Sequence, residues 1–146
     1  MRRLSLFGLA VFGLACASPS GPHREVLAPS PSPLPVFSPA VRTGNLVFLS
    51  GQIGNVPGTL ELVPGGIGPE TEQTLTGIRT LLEEIGLSLA DVVKCTVFLA
   101  DIADYQAMNE VYRRFFPEDP PARSTLAASG LALGARIEIE CIAAAR

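Results

Sequence analysis

The sequence contains no tryptophan, two tyrosines, one histidine and three cysteines among 146 residues. So few aromatic side chains supply a poor platform for stacking nucleic-acid bases. His23 is the only histidine and there is no CxxC, HxxxH or HxH, so a protein metal site is not expected. Three cysteines do not make a disulfide framework. Cys16 falls near the N-terminus. Cys95 (in KCTVF) and Cys141 (in IECIA) lie in apolar, strand-like runs and read as small buried hydrophobes. Positive charge is also scarce. The formal net charge is -3 and the pI about 5.1, which gives no basic surface for nucleic acid or anionic lipid.

Hydrophobic residues make up 47% and charged residues 17% of the chain, a globular rather than a disordered composition. The length suits one domain with its own core and is too short for two ordinary ones.

Residues 1–17 read as an export signal. Arg2 and Arg3 precede Leu4 to Ala15, an uncharged apolar run of twelve residues, and small residues follow. A bilayer span needs roughly 20 residues, so this run is too short to be one. Ala15-Cys16-Ala17 fits an Ala-x-Ala cleavage site. Gly13-Leu14-Ala15-Cys16 resembles an imperfect bacterial lipoprotein box, with Cys16 as the lipidated residue, and the Ser/Pro/Gly-rich stretch after it favours that reading. Either route places the mature protein outside the cytoplasm, as a periplasmic, envelope-anchored or secreted form. Loss of Arg2 and Arg3 takes the net charge from -3 to -5.

Residues 18–23 read as a tether and 24–146 as the domain. Arg24 to Phe37 is rich in proline and by composition alone would be an extended linker. Ala40 to Arg42 and Leu46 to Ser50 read as strands around a Thr43-Gly44-Asn45 turn. Gly51 to Gly68 holds six glycines and two prolines and reads as loop or hairpin. Pro69 to Gly86 reads as a helix, with Pro69 in its first turn, Glu70 and Glu72 at the positive end of its dipole and Gly86 as its stop. Its apolar stripe is Leu75, Ile78, Leu81, Leu82 and Ile85. Val92 to Leu99 alternates as a core strand. Asp101 to Phe116 reads as a second helix with Tyr105, Met108, Tyr112 and Phe115 on one face. Ser124 to Ala128 and Ala135 to Ala143 read as closing strands separated by a Gly130 to Gly134 turn. Two helices on one face of a mixed sheet would bury both stripes.

Four polar positions stand out against this frame. Ser50 ends an apolar strand. Asn109 lies in a helix among apolar neighbours. Arg123 opens a strand after Pro120-Pro121-Ala122. Glu138 sits in Arg136-Ile137-Glu138-Ile139-Glu140, where every second residue is acidic. Taken singly, each has an unremarkable explanation: a strand end, an exposed helix position, a surface ion pair, the solvated face of an edge strand.

Together, LVFLSGQIG (Leu46 to Gly54), DVVKCTVFLADIADYQAMNEVYRRFF (Asp91 to Phe116), PPARST (Pro120 to Thr125) and RIEIECIA (Arg136 to Ala143) resemble the Rid/YjgF family. Within it they are similar to the RidA branch of enamine/imine deaminases. The resemblance runs from about Arg24 to Arg146. It implies an α+β, chorismate-mutase-like fold: a mixed β-sheet with two helices on one face, assembled as a homotrimer with clefts between subunits. In that fold the proline-rich segment is an ordered, extended edge. It implies hydrolysis of 2-imino acids, including those derived from 2-aminoacrylate, to 2-keto acids and ammonia, with neither metal nor organic cofactor.

The resemblance also assigns roles. Arg123 is the carboxylate anchor, a planar, permanently charged fork of donors. Glu138 positions and deprotonates the attacking water. Ser50 and Asn109 are polar positions of the cleft, and the Thr125 backbone contacts substrate. Phe37 stands where the family has a cleft tyrosine, so the ring is kept and the hydroxyl lost. Pro39 replaces a glutamine, and Gly77 stands where the family helix commonly has asparagine. Relatives normally serve in the cytosol or organelles, so the leader sets this chain apart. Non-catalytic binding of a small carboxylate, and RNA cleavage as reported across relatives, are the alternative functions.

Overall fold

A computed structural model of the chain describes residues 23–29 and 36–145. The expected leader, the lipidation candidate Cys16 and most of the tether lie outside the described residues, as do residues 30–35 of the proline-rich segment.

Among the described residues, seven strands form one mixed sheet: β1 (Arg24–Leu27), β2 (Ala40–Thr43), β3 (Leu46–Leu49), β4 (Gln52–Ile53), β5 (Val92–Leu99), β6 (Ala122–Ala127) and β7 (Ile137–Ala144). The order is β1-β2-β3-β7-β5-β6, with β4 also pairing β7. Every contact is antiparallel except that between β5 and β6. Arg24–Leu27 is thus an ordered edge strand, where composition alone would have placed a linker.

The two helices, α1 (Ile67–Glu84) and α2 (Tyr105–Phe115), pack on one face of this sheet. Both form where apolar side chains recur every three to four residues. Leu75, Ile78, Leu81 and Leu82 of α1 and Met108, Val111 and Tyr112 of α2 are buried. They meet Val47, Leu49, Cys95, Val97, Leu99, Ile137, Ile139, Cys141 and Ala143, the buried alternate positions of β3, β5 and β7. Pro69 lies in the first turn of α1 and Gly86 follows its end with positive φ, both as the sequence suggests.

Two expectations need correction. Glu138 and Glu140 are not on an edge strand, because β7 lies between β3 and β5. Cys95 and Cys141 are buried, but as a disulfide rather than as separate hydrophobes. They face each other directly in the antiparallel β5–β7 register and both point toward the helices. Their 46-residue separation hides that pairing from sequence patterns.

Candidate functional site

The approach of β3 to β4 explains the first polar motif. Phe48 pairs with Ile142 and Gln52 with Ile139, so four steps on one strand span three on the other. Ser50 and Gly51 occupy this bulge, a device that re-aims side chains beside sites. The Ser50 hydroxyl donates to the Ser38 carbonyl at 2.7 Å, and the Ser50 amide donates to the Pro39 carbonyl at 3.0 Å. Ser50 therefore secures the segment that carries Phe37, whose ring is 48% exposed. Gly51 leaves room for Glu138: any Cβ there would overlap the Glu138 carboxylate.

Glu138 is partly buried on the sheet face opposite the helices. Loss of surrounding water raises its carboxyl pKa above the usual range, and the like charge of Glu140 raises it further. Its strand is held at the same end by Glu70. That carboxylate is 5% exposed and accepts the Arg136 amide at 2.8 Å. Glu70 therefore tethers the start of β7 to α1, a role beyond the dipole position read from the sequence.

Arg123 lies elsewhere. On β6 it pairs with Cys95, and its guanidinium reaches the helix side. Its Cζ lies 4.6 Å from the Tyr112 ring centroid and 5.8 Å from that of Tyr105. Nη2 donates to the Tyr105 hydroxyl at 3.4 Å and Nη1 lies 3.9 Å from the Met108 sulfur. Among the described residues no carboxylate forms a salt bridge with it, which removes the surface ion-pair explanation. Both tyrosines of the chain thus serve one arginine.

Around this arginine are polar atoms without partners. The Tyr112 hydroxyl and the Thr125 Oγ1 are buried with no hydrogen bond among the described residues. Burial pushes the Tyr112 pKa up to about 12, against the opposing pull of Arg123. Asn109, one helical turn beyond Tyr105, hydrogen-bonds the Tyr105 hydroxyl through its side chain. That bond and the adjacent Arg123 lower the Tyr105 pKa. Among the described residues, these buried hydroxyls without hydrogen bonds lie beside a guanidinium without a salt bridge, a set of groups able to receive an oxygen-rich anion.

The structure therefore divides the candidate residues into two groups. Arg123, Asn109 and Thr125 gather on the helix side of the sheet. Ser50, Phe37 and Glu138 gather around the bulge. Sequence reading missed the part played by Tyr105 and Tyr112, which it placed only in an apolar stripe. The available signal was the spacing Tyr105, Asn109, Tyr112, which puts a polar residue between two phenols on one helix face. Among the described residues no group of three or more His, Cys, Asp or Glu side chains could hold a metal ion.

The sequence profile of the Endoribonuclease L-PSP family matches residues 28–145. "Reactive Intermediate Deaminase A, chloroplastic" of Arabidopsis thaliana is 39% identical over 93% of this chain and 79% of its own length. A "2-iminobutanoate/2-iminopropanoate deaminase" of Capra hircus is 41% identical over 80% of this chain and 85% of its own. The crystal structure of the YjgF gene product of E. coli superposes with a TM-score of 0.76 at 33% identity, covering 84% of this chain and 99% of that one.

Proposed function

We propose that this chain, which belongs to the Endoribonuclease L-PSP family, hydrolyses 2-imino acids to 2-keto acids and ammonia. The observation that carries the proposal is Arg123: stacked on Tyr112, flanked by orphaned hydroxyls and, among the described residues, in a salt bridge with no carboxylate. Relatives whose names specify 2-iminobutanoate/2-iminopropanoate deamination, at about 40% identity, supply the reaction class.

The chemistry asks little of the protein. An imine carbon is already electrophilic toward water, so catalysis needs positioning and one base. The fork of Arg123 holds the substrate carboxylate and leaves the C=N carbon exposed. Water adds to that carbon while Glu138 accepts a water proton. That proton passes to nitrogen to give the carbinolamine; the hydroxyl proton then follows it to nitrogen as the C=O forms and the C–N bond breaks, and ammonia and the 2-keto acid leave. A carboxylate whose proton affinity is raised, as Glu138's is, makes a better base than an ordinary one.

Arg123 and Glu138 emerge on opposite faces of the sheet. They can act on one substrate when Glu138 comes from a second copy. The face that carries Glu138 also presents Val26, Phe48 and Leu126, all at least 40% exposed, which suits burial against another subunit. A homotrimer with three shared sites follows from this reading and from the family. The leader and the buried Cys95–Cys141 disulfide support maturation in an oxidising compartment outside the cytoplasm. Cys16 as a lipid anchor is part of the same reading.

The test generates 2-iminopropanoate with an amino-acid oxidase in the presence of semicarbazide. The protein should divert imine from the trap, and Arg123→Ala should abolish that effect. A parent protein that diverts none sinks the proposal. Thermal stabilisation by 2-keto acids without turnover would instead assign a binding module. RNA cleavage lost in Arg123→Ala would assign the activity in the family's name.

A further inference from the structure

Tyr105 has a hydrogen-bonding capacity that the protein does not use up. A phenol oxygen offers two lone pairs and one proton. Arg123 Nη2 donates to that oxygen at 3.4 Å. The Asn109 side chain hydrogen-bonds it as well, in the sense that favours the negative oxygen. The arginine contact fills a lone pair. Among the described residues no acceptor takes the hydroxyl proton, which sits on a partly exposed side chain at the start of α2. Tyr112 cannot take this part, because its hydroxyl is buried and its ring lies against the guanidinium.

We infer that the Tyr105 hydroxyl donates a hydrogen bond to the substrate carboxylate seated on Arg123, making the anchor a guanidinium–phenol pair. A carboxylate has about four lone-pair directions. The arginine fork takes two and the phenol a third, which fixes the rotation of the carboxylate about its C–C bond and so the plane in which the imine carbon meets water. The site also keeps a phenol although Phe37 carries none, but on α2 beside Arg123 rather than near Ser50. Asn109 becomes a positioning residue that orients this hydroxyl. The inference rests on the reading of Arg123 as the carboxylate anchor.

Tyr105→Phe keeps the ring and removes only the donor. Binding of pyruvate and 2-oxobutanoate by calorimetry should weaken about 10- to 100-fold, the range for a hydrogen bond to a charged group. Binding of pyruvamide, which has no carboxylate, should change less than threefold. The loss should persist in an Arg123→Lys background, where the phenol still faces the ligand. Three results would overturn the inference: Tyr105→Phe binding pyruvate like the parent, an equal loss for pyruvamide, or a loss that vanishes in Arg123→Lys. In each of these cases a parent protein that still hydrolyses imine leaves the deaminase reading standing. A parent that neither binds 2-keto acids nor hydrolyses imine removes both.

Discussion

Arg123 and Glu138 flank β5 on opposite faces of the sheet. Arg123 is paired with Cys95 and points to the helices, whereas Glu138 is paired with Phe98 and points away. Two residues of one chain so arranged do not line a common cleft on either face of the sheet.

Arg123→Ala and Glu138→Gln should each retain at most about 1% of parental activity alone. Refolded together in equal amounts, they should recover about a quarter of parental activity, the random fraction of shared sites in a closed ring that hold an intact residue of each kind. Recovery near zero would place both residues in the same copy's site.

Glu138 acts as a base only when ionised, and its pKa lies above the ordinary carboxylate value through burial and through Glu140. Consequently kcat/KM should fall as pH drops through that raised pKa, an acid limb lying above the usual ~4.3. Glu140→Gln removes the like charge and should move the limb to lower pH. Glu138→Gln should lower the rate about 100- to 10,000-fold and erase the limb. A pH–rate profile of the three proteins checks all of this.

With no tryptophan and two tyrosines, phenolate absorbance reports the site directly. Two steps should appear, one below the usual ~10 for Tyr105 and one at about 12 for Tyr112. Asn109→Ala should shift the first step upward, because the Asn109 hydrogen bond is the largest cause of its depression. A single merged step near the ordinary value would contradict the arrangement around Arg123.

Cys95 and Cys141 close a loop of 46 residues between adjacent strands. Reduction should cost about 2–4 kcal/mol of unfolding free energy, measured by denaturant titration with and without reductant. Before reduction, alkylation of the unfolded protein should leave both thiols unlabelled.

Gly77 occupies the interior of α1, and a Cβ there meets only the Gln52 side-chain oxygen at 3.8 Å, an ordinary contact. Gly77→Ala should therefore stabilise the fold by about 1 kcal/mol. The expected rise in Tm is about 3 °C.

How much of this was legible beforehand differs residue by residue. The stripe of Leu75, Ile78, Leu81 and Leu82 and the alternation of β5 are local patterns, and the structure buries those positions. Arg123 and Glu138 could be singled out because charge is out of place beside proline turns and within alternating strands. Their separation could not be, since it depends on β5 entering between β6 and β7. The same insertion moved Glu138 from an imagined edge to an inner strand. Tyr105 and Tyr112 looked like core residues because periodicity reports apolar rings and is silent on their hydroxyls.

By itself the sequence determined where both helices and strands β2, β3, β5, β6 and β7 form, which side of the helices is apolar, and the family to which the chain belongs. These follow from short-range spacing of side chains along the backbone. Only the tertiary structure decided that Cys95 meets Cys141, that both tyrosines gather on Arg123, and that the arginine and the glutamate face apart. Strand order and register between distant segments arise from packing the whole core at once, and no local period records the outcome.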